Sequence, residues 1–314
     1  MQPPSRRTFL ALGLLTLTTA CTGHGPTSTA TPGGPDPDLP VRLRAVAATD
    51  TLLTAYDALL AAPGAQTALL QPLRADTAQH RAALAYGIPA ASTGATPGTA
   101  SPTGTPTQAT LAALERQTAQ SRLADLGAAG PPLARLLASV AAANALHAAA
   151  LGAPADQPTP APTATSTSTP TPDATPALQK ALSAEHAAVY GYGVVGAHLP
   201  EGQQRTDARA AYAAHQSQRD TWQRLLSTLG ATPTPAAGGY QLPFPVTDPA
   251  GATKLAAHLE TGLTTVYADL VADLPAPHRP TAATALRDCT LRAHRWGAPD
   301  TPFPGIPDPL PTPN

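Results

Sequence analysis

The chain has 314 residues, only 12% charged and 4% aromatic, with 19 basic against 20 acidic side chains and a formal net charge of −1. That length suffices for two ordinary domains. Near-neutral balance without a basic stripe argues against nucleic acid as a partner, and the lack of runs rich in Val, Ile, Tyr and Phe argues against a sandwich or a parallel sheet. Alanine-rich stretches with leucine at helical spacing predict an all-α fold.

The first residues read as an address. Ser5-Arg6-Arg7-Thr8-Phe9-Leu10 has the form of a twin-arginine export signal, with Arg6 and Arg7 as its pair. The apolar segment that follows, Phe9 to Leu17, is too short to remain as a membrane span. It ends Leu17-Thr18-Thr19-Ala20-Cys21, a lipobox in which the leucine stands one position further from the cysteine than usual. Residues 1–20 are therefore expected to be cleaved and Cys21 to carry lipid, whose acyl chains anchor a protein by about 0.8 kcal/mol per buried CH₂. The expected place is the outer face of the cell membrane. Residues 21–40, rich in Thr, Pro and Gly, form a flexible tether. With Cys21 lipidated, Cys289 is left without a disulfide partner.

Further along, residues 154–176 are a low-complexity Pro/Thr run, which breaks helices and reads as a linker. It separates two predicted four-helix bundles, residues 41–153 and 177–305, with a disordered tail at 306–314. In the first half helices are expected over 41–62, 67–86, 107–126 and 131–151. In the second they are expected over 177–198, 206–229, 249–274 and 279–296, the third opened by Asp248 as a cap and Pro249 in the first turn. The long connection at 231–247 permits a ferritin-like crossover. The halves also echo one another. Leu114-Glu115 parallels Leu259-Glu260, Asp50 with Tyr56 parallels Glu185 with Tyr190, and His80 parallels His215.

Polar residues fall on the apolar stripes of the second half. Leu178, Leu182, Glu185, Val189 and Tyr192 share one helix face. Tyr212, His215, Arg219, Trp222 and Leu226 share another. Glu260 lies beside Leu263, and Cys289 falls between Leu286 and Ala293. A core holding these groups must neutralise them, because an unpaired buried charge costs several kcal/mol. The first solution is a closed polar network of Glu185, Tyr212, His215, Arg219 and Glu260, with the guanidinium as counter-ion. The alternative is a metal site of Glu185, His215, Glu260 and Cys289 holding iron, manganese or zinc. Arg219 on the same face would repel a metal, which favours the network.

The residues Glu185-His186-Ala187-Ala188-Val189-Tyr190-Gly191-Tyr192-Gly193, His215 with Arg219-Asp220, Leu242-Pro243, Leu259-Glu260, and Arg292 to Trp296 with Pro302-Phe303-Pro304-Gly305 resemble a ferritin-like domain family of unknown function in exported proteins of high-GC Gram-positive bacteria. The resemblance implies a four-helix ferritin-like bundle over residues 177–305 and brings no reaction. The wider superfamily places Glu, Glu-x-x-His, Glu and Glu-x-x-His on its four helices. This sequence keeps Glu185 and Glu260 but offers Tyr212-x-x-His215 and Cys289-x-x-Arg292 for the other two. No nucleophile elbow, phosphate-binding loop, Cys-x-x-Cys or His-Glu-x-x-His is present. The leading expectation is a lipid-anchored, non-catalytic binding or scaffolding module without a cofactor. It would act on an unidentified envelope protein or as a homo-oligomer. The alternative is a metalloprotein that binds or stores metal or acts as an oxidase.

Overall fold

The computed structural model describes residues 36–88, 107–153 and 174–307. The export pair Arg6 and Arg7, the lipidation candidate Cys21 and the centre of the Pro/Thr run lie outside them. The described chain is all-α: α1 Leu39–Leu60, α2 Thr67–Ala85, α3 Gln108–Asp125, α4 Pro131–Ala150, α5 Ala174–His198, α6 Gln203–Thr228, α7 Pro249–Asp273 and α8 Arg279–Arg295, the last preceded by a 3₁₀ turn at Ala276–His278. Each predicted helix forms, with ends within three residues of the expected ones. The Asp248 carboxylate accepts the Gly251 N–H at 2.7 Å, so the predicted cap is made. Thr107 and Thr110 close a reciprocal capping box on α3, satisfying two donors the helix cannot.

Within each half the helices pack as bundles, α1 on α2 and α3 on α4, then α5 on α6 and α7 on α8. The halves meet through α4, which lies against α7 and α8. This position explains the composition of α4: it is apolar on nearly every face, and a helix of that kind must be covered all round. Leu137, Val140, Ala142 and their neighbours are buried. One apolar cluster accordingly runs from Leu84, Leu137 and Val140 into Leu182, Leu226 and Leu286. Arg279, at the start of α8, donates to the carbonyls of Leu126 at 2.9 Å and Ala129 at 2.6 Å, capping the turn between α3 and α4.

After α8 the chain crosses this junction. His80 Nε2 donates to the Pro302 carbonyl at 2.7 Å and Ser139 Oγ donates to that of Pro304 at 2.8 Å. Phe303 and Ile306 are buried, and Phe303 stands edge-on to the His80 ring. Gly305 has φ +77, and a Cβ there would sit 2.3 Å from the Thr264 carbonyl oxygen. Both the left-handed backbone and the missing side chain are therefore required. Gly305→Ala should lower unfolding free energy by about 2 kcal/mol, read from urea denaturation; an unchanged midpoint would show that this segment does not hold the halves.

Candidate functional site

In the second half, side chains from all four helices converge. His215 on α6 stands between two carboxylates, with Nδ1 2.8 Å from Glu185 of α5 and Nε2 3.1 Å from Glu260 of α7. Both ring nitrogens face acceptors, so the imidazole carries both protons and a positive charge. Burial alone pulls its pKa down, but the two carboxylates outweigh that and raise it to about 9. Tyr192 donates to Glu260 at 2.5 Å and stacks on the His215 ring. Tyr267 donates to Glu185, and Trp222 Nε1 donates in turn to the Tyr267 hydroxyl at 3.3 Å. Glu185, Glu260 and Tyr267 have no solvent exposure.

The second cation comes from α8. Arg292 Nε donates to Glu260 Oε1 at 2.7 Å, and its Nη2 reaches Cys289 Sγ at 3.3 Å. Burial pushes the Glu260 carboxyl up, but Arg292 and His215 hold it down at about 2. Glu185, His215, Glu260 and Arg292 thus form a chain of alternating sign whose formal charges sum to zero. Burial, and after it the nearby Glu260 charge, pushes the Cys289 thiol well up, which leaves it an inert apolar group.

Two members of the predicted network belong elsewhere. Arg219 turns to its neighbour Asp220, with Nε 2.9 Å from Oδ1. Its place on the stripe is at the margin, where a long side chain carries its charge outward while its stem stays packed. Tyr212 is half-buried and packs on the apolar cluster of Tyr192, Leu255 and Trp296 rather than joining the core. The sequence reading missed the residues that replace them, although the signals were there. Arg292 lies three residues after Cys289, and Tyr192 and Tyr267 each lie one heptad after a buried glutamate.

The first half holds a second cluster of the same kind. Glu115 of α3 accepts from Tyr56 of α1 at 2.6 Å and from Asn144 of α4 at 2.6 Å. Arg122 donates to Asn144 at 2.7 Å and to Thr49 at 2.8 Å. His147 lies 3.3 Å from Glu115 and 3.7 Å from Asp76 of α2. Burial lowers its pKa, but the two carboxylates raise it to about 9. Burial pulls the Arg122 guanidinium down to about 10, opposed by Glu115; it remains a cation. Again two carboxylates balance one imidazolium and one guanidinium.

The two clusters correspond position by position. Buried Ala45, Val46, Thr49, Leu52 and Tyr56 of α1 match Ala181, Leu182, Glu185, Ala188 and Tyr192 of α5. Glu115 and Arg122 match Glu260 and Tyr267, and Asn144 and His147 match Cys289 and Arg292, all four pairs at one constant interval along the chain. On the second helices Leu70, Thr77 and Leu84 match Ala208, His215 and Trp222. The partner of Glu185 is therefore Thr49, not Asp50, which lies outside in an ion pair with Arg81. The partner of Tyr56 is Tyr192, not Tyr190. That of His215 is Thr77, not His80. Both cations change helix: the guanidinium passes from α3 in the first half to α8 in the second, and the imidazolium from α4 to α6.

Comparison with known proteins bears on the second cluster. Residues 177–308 match a family described as a domain of unknown function (DUF4439). The C-terminal half carries a DUF4439 domain. The solved structure of a conserved hypothetical protein, rv2844, from Mycobacterium tuberculosis is 37% identical, covers 40% of this chain and 96% of that chain, and has a TM-score of 0.38. No curated protein matches the chain. The DUF4439 domain contains the whole Glu185–His215–Glu260–Arg292 chain and the segment through Gly305 that closes the junction.

The DUF4439 core does not suit a metal ion. His215 would have to give up a proton from a nitrogen already bonded to a carboxylate, and Arg292 places a fixed cation on Glu260. Among the described residues no three His, Cys, Asp or Glu side chains are grouped so as to hold a metal. The candidate set Glu185, His215, Glu260 and Cys289 is brought together, but as an ion-pair chain. One acceptor in it, Glu260 Oε2, is buried without a protein partner, and a buried water would satisfy it.

Proposed function

We propose that this chain is a non-catalytic envelope protein, exported by the twin-arginine route and held at the outer face of the cell membrane by lipid on Cys21. On this reading, two ferritin-like bundles form a rigid binding or scaffolding module for an unidentified envelope protein or a second copy of the chain. The observation that carries the non-catalytic reading is Arg292 on Glu260. With that cation in place every charge in the core is matched, and no activated nucleophile or open acid–base pair is left over. Arg6-Arg7 and the small residues before Cys21 support the anchored location. The metalloprotein alternative lacks such support, because the same side chains are already neutralised by protons and a guanidinium.

Fractionation in a high-GC Gram-positive host tests both parts. The intact protein should partition with membranes, and Cys21→Ser should move it to the soluble exported fraction. Elemental analysis of the purified protein should find iron, manganese and zinc well below one equivalent. Stoichiometric metal that disappears in Glu185→Ala would overturn the non-catalytic reading, and a Cys21→Ser protein still in the membrane would overturn the lipid anchor.

A further inference from the structure

His80 of α2 lies under the segment that follows α8, and its hydrogen bonding is incomplete. The residue has no solvent exposure. Its Nε2–H donates to the Pro302 carbonyl, while Nδ1 is buried without a partner. Phe303 stands edge-on to the ring, and the His147 ring is stacked on it at 5.7 Å.

The groups around it offer a second proton no counter-charge. Helix α4 brings His147, a cation whose two nitrogens face Glu115 and Asp76. Helix α3 brings Arg122, also a cation, which acts on His80 in the same sense. Helix α1 brings the hydroxyls of Thr49 and Tyr56, already bonded to Arg122 and Glu115. On α2 itself Asp76 lies one turn earlier and faces His147. The segment after α8 brings only a carbonyl and an aromatic ring. A protonated His80 is therefore a third cation beside two, with an Nδ1–H that nothing accepts.

The charged ring gains hydration only when the segment above it moves. That segment is tied lightly. Its carbonyls at Pro302 and Pro304 accept from His80 and Ser139, and the Ile306 N–H donates to the Phe303 carbonyl at 3.0 Å. Pro302 and Pro304 have no N–H to add. The helices beneath it keep complete hydrogen-bond ladders, so the segment opens before they do.

We infer that residues 302–306 are an acid-released latch: protonation of His80 turns its ring out to water, lifts this segment from the junction of the halves and leaves the helices in place. A histidine whose charge changes near neutrality is suited to such a switch. Burial, with His147 and Arg122, keeps His80 neutral while the latch is closed. Each opening then takes up one proton, so below the ordinary histidine value of about 6.5 the opening equilibrium rises about tenfold per pH unit. The inference does not depend on the envelope location or on the Glu185–His215–Glu260–Arg292 chain.

Amide hydrogen exchange of the full chain tests it, read at the Ile306 N–H and corrected for the intrinsic pH dependence of exchange. The Ile306 protection factor should fall about tenfold from pH 6 to pH 5. At each pH it should stay below that of the slowest amides of α4 and α8. His80→Gln, whose amide can still donate to the Pro302 carbonyl, should abolish the pH dependence. Ser139→Ala should lower protection about fivefold at every pH and keep the tenfold slope, so that the parent and this variant decide the matter even where His80→Gln fails to fold. The inference is overturned if Ile306 protection in the parent is level between pH 6 and pH 5, or if the slope survives in folded His80→Gln. It is equally overturned if Ile306 exchanges no faster than the slowest helix amides, since release is then global unfolding.

Discussion

Glu260→Gln should destabilise the protein by about 3–5 kcal/mol, the loss expected when one partner of a buried ion pair is removed. The substitution keeps the volume and removes one negative charge. His215 and Arg292 then share the core with Glu185 alone, and one cation is left without compensation in an interior that screens charge poorly. Arg292→Met should be costly for the mirror reason, because Glu260 and Glu185 then have only His215 between them. The pair of changes together restores neutrality: Glu185 faces His215, and the amide faces a thioether. The double variant should therefore be less damaged than the sum of its parts, with a coupling energy of about 1–3 kcal/mol in urea denaturation. Arg219→Met, at the rim with Asp220, should stay within about 0.5 kcal/mol of the parent. Strict additivity, or a larger effect at Arg219 than at Arg292, would refute the assignment of the core cation.

The same logic shows why part of the site was legible in the sequence and part was not. Helix positions followed from period and punctuation, since Asp248-Pro249, Pro131-Pro132 and the Pro/Thr runs act locally. Glu185, His215 and Glu260 stood out because a charge on an apolar stripe has to be neutralised. The identity of its counter-ion does not follow from the stripe. Arg219 and Arg292 both lie on inward-tending faces, and a rotation of a few tens of degrees decides which long side chain reaches in and which reaches out. That rotation is fixed by packing between helices: Trp222 fills the layer next to Arg219 on α6, whereas on α8 the small Cys289 and Ala293 leave room for the Arg292 stem. The correspondence of the halves was visible at Glu115 and Glu260 but mispaired at Asp50 and His80. In an alanine-rich helix a shift of one residue changes little in sequence, yet it turns the side chain by about 100°.

These two charge-balanced cores should give the protein a stability maximum near pH 6.5, and the alkaline side carries the larger effect. His215 and His147 each have a folded pKa of about 9 against an ordinary 6.5. A raised pKa means the folded state holds its proton more tightly, so its contribution is complete below pH 6.5 and is lost as pH rises through 9. Each shift corresponds to about 3 kcal/mol, so that the two together remove up to about 6 kcal/mol between pH 6.5 and pH 10. On the acid side the two buried groups His80 and Glu260 act in the other sense, joined by the part-buried His278, which burial lowers, and by Asp57, which Arg74 lowers. His80 is buried neutral, donating to the Pro302 carbonyl and stacked on the charged His147 ring at 5.7 Å. Burial first, and then His147 and Arg122, set its pKa well below 6.5. The unfolded chain therefore gains a proton that the folded one refuses, and stability falls below pH 6.5. Glu260, held at about 2 against 4.5, adds a further loss as pH falls from about 4.5 through 2. Urea midpoints taken between pH 4 and pH 10 should trace this asymmetric peak. His215→Gln and His147→Gln should be less stable than the parent at pH 6.5 but should each flatten the alkaline limb by about half, while His80→Gln should flatten only the acid limb. A parent curve that is level from pH 6.5 to pH 9.5 would mean that neither imidazole is a cation in the folded protein, and the charge balance of both cores would fail with it.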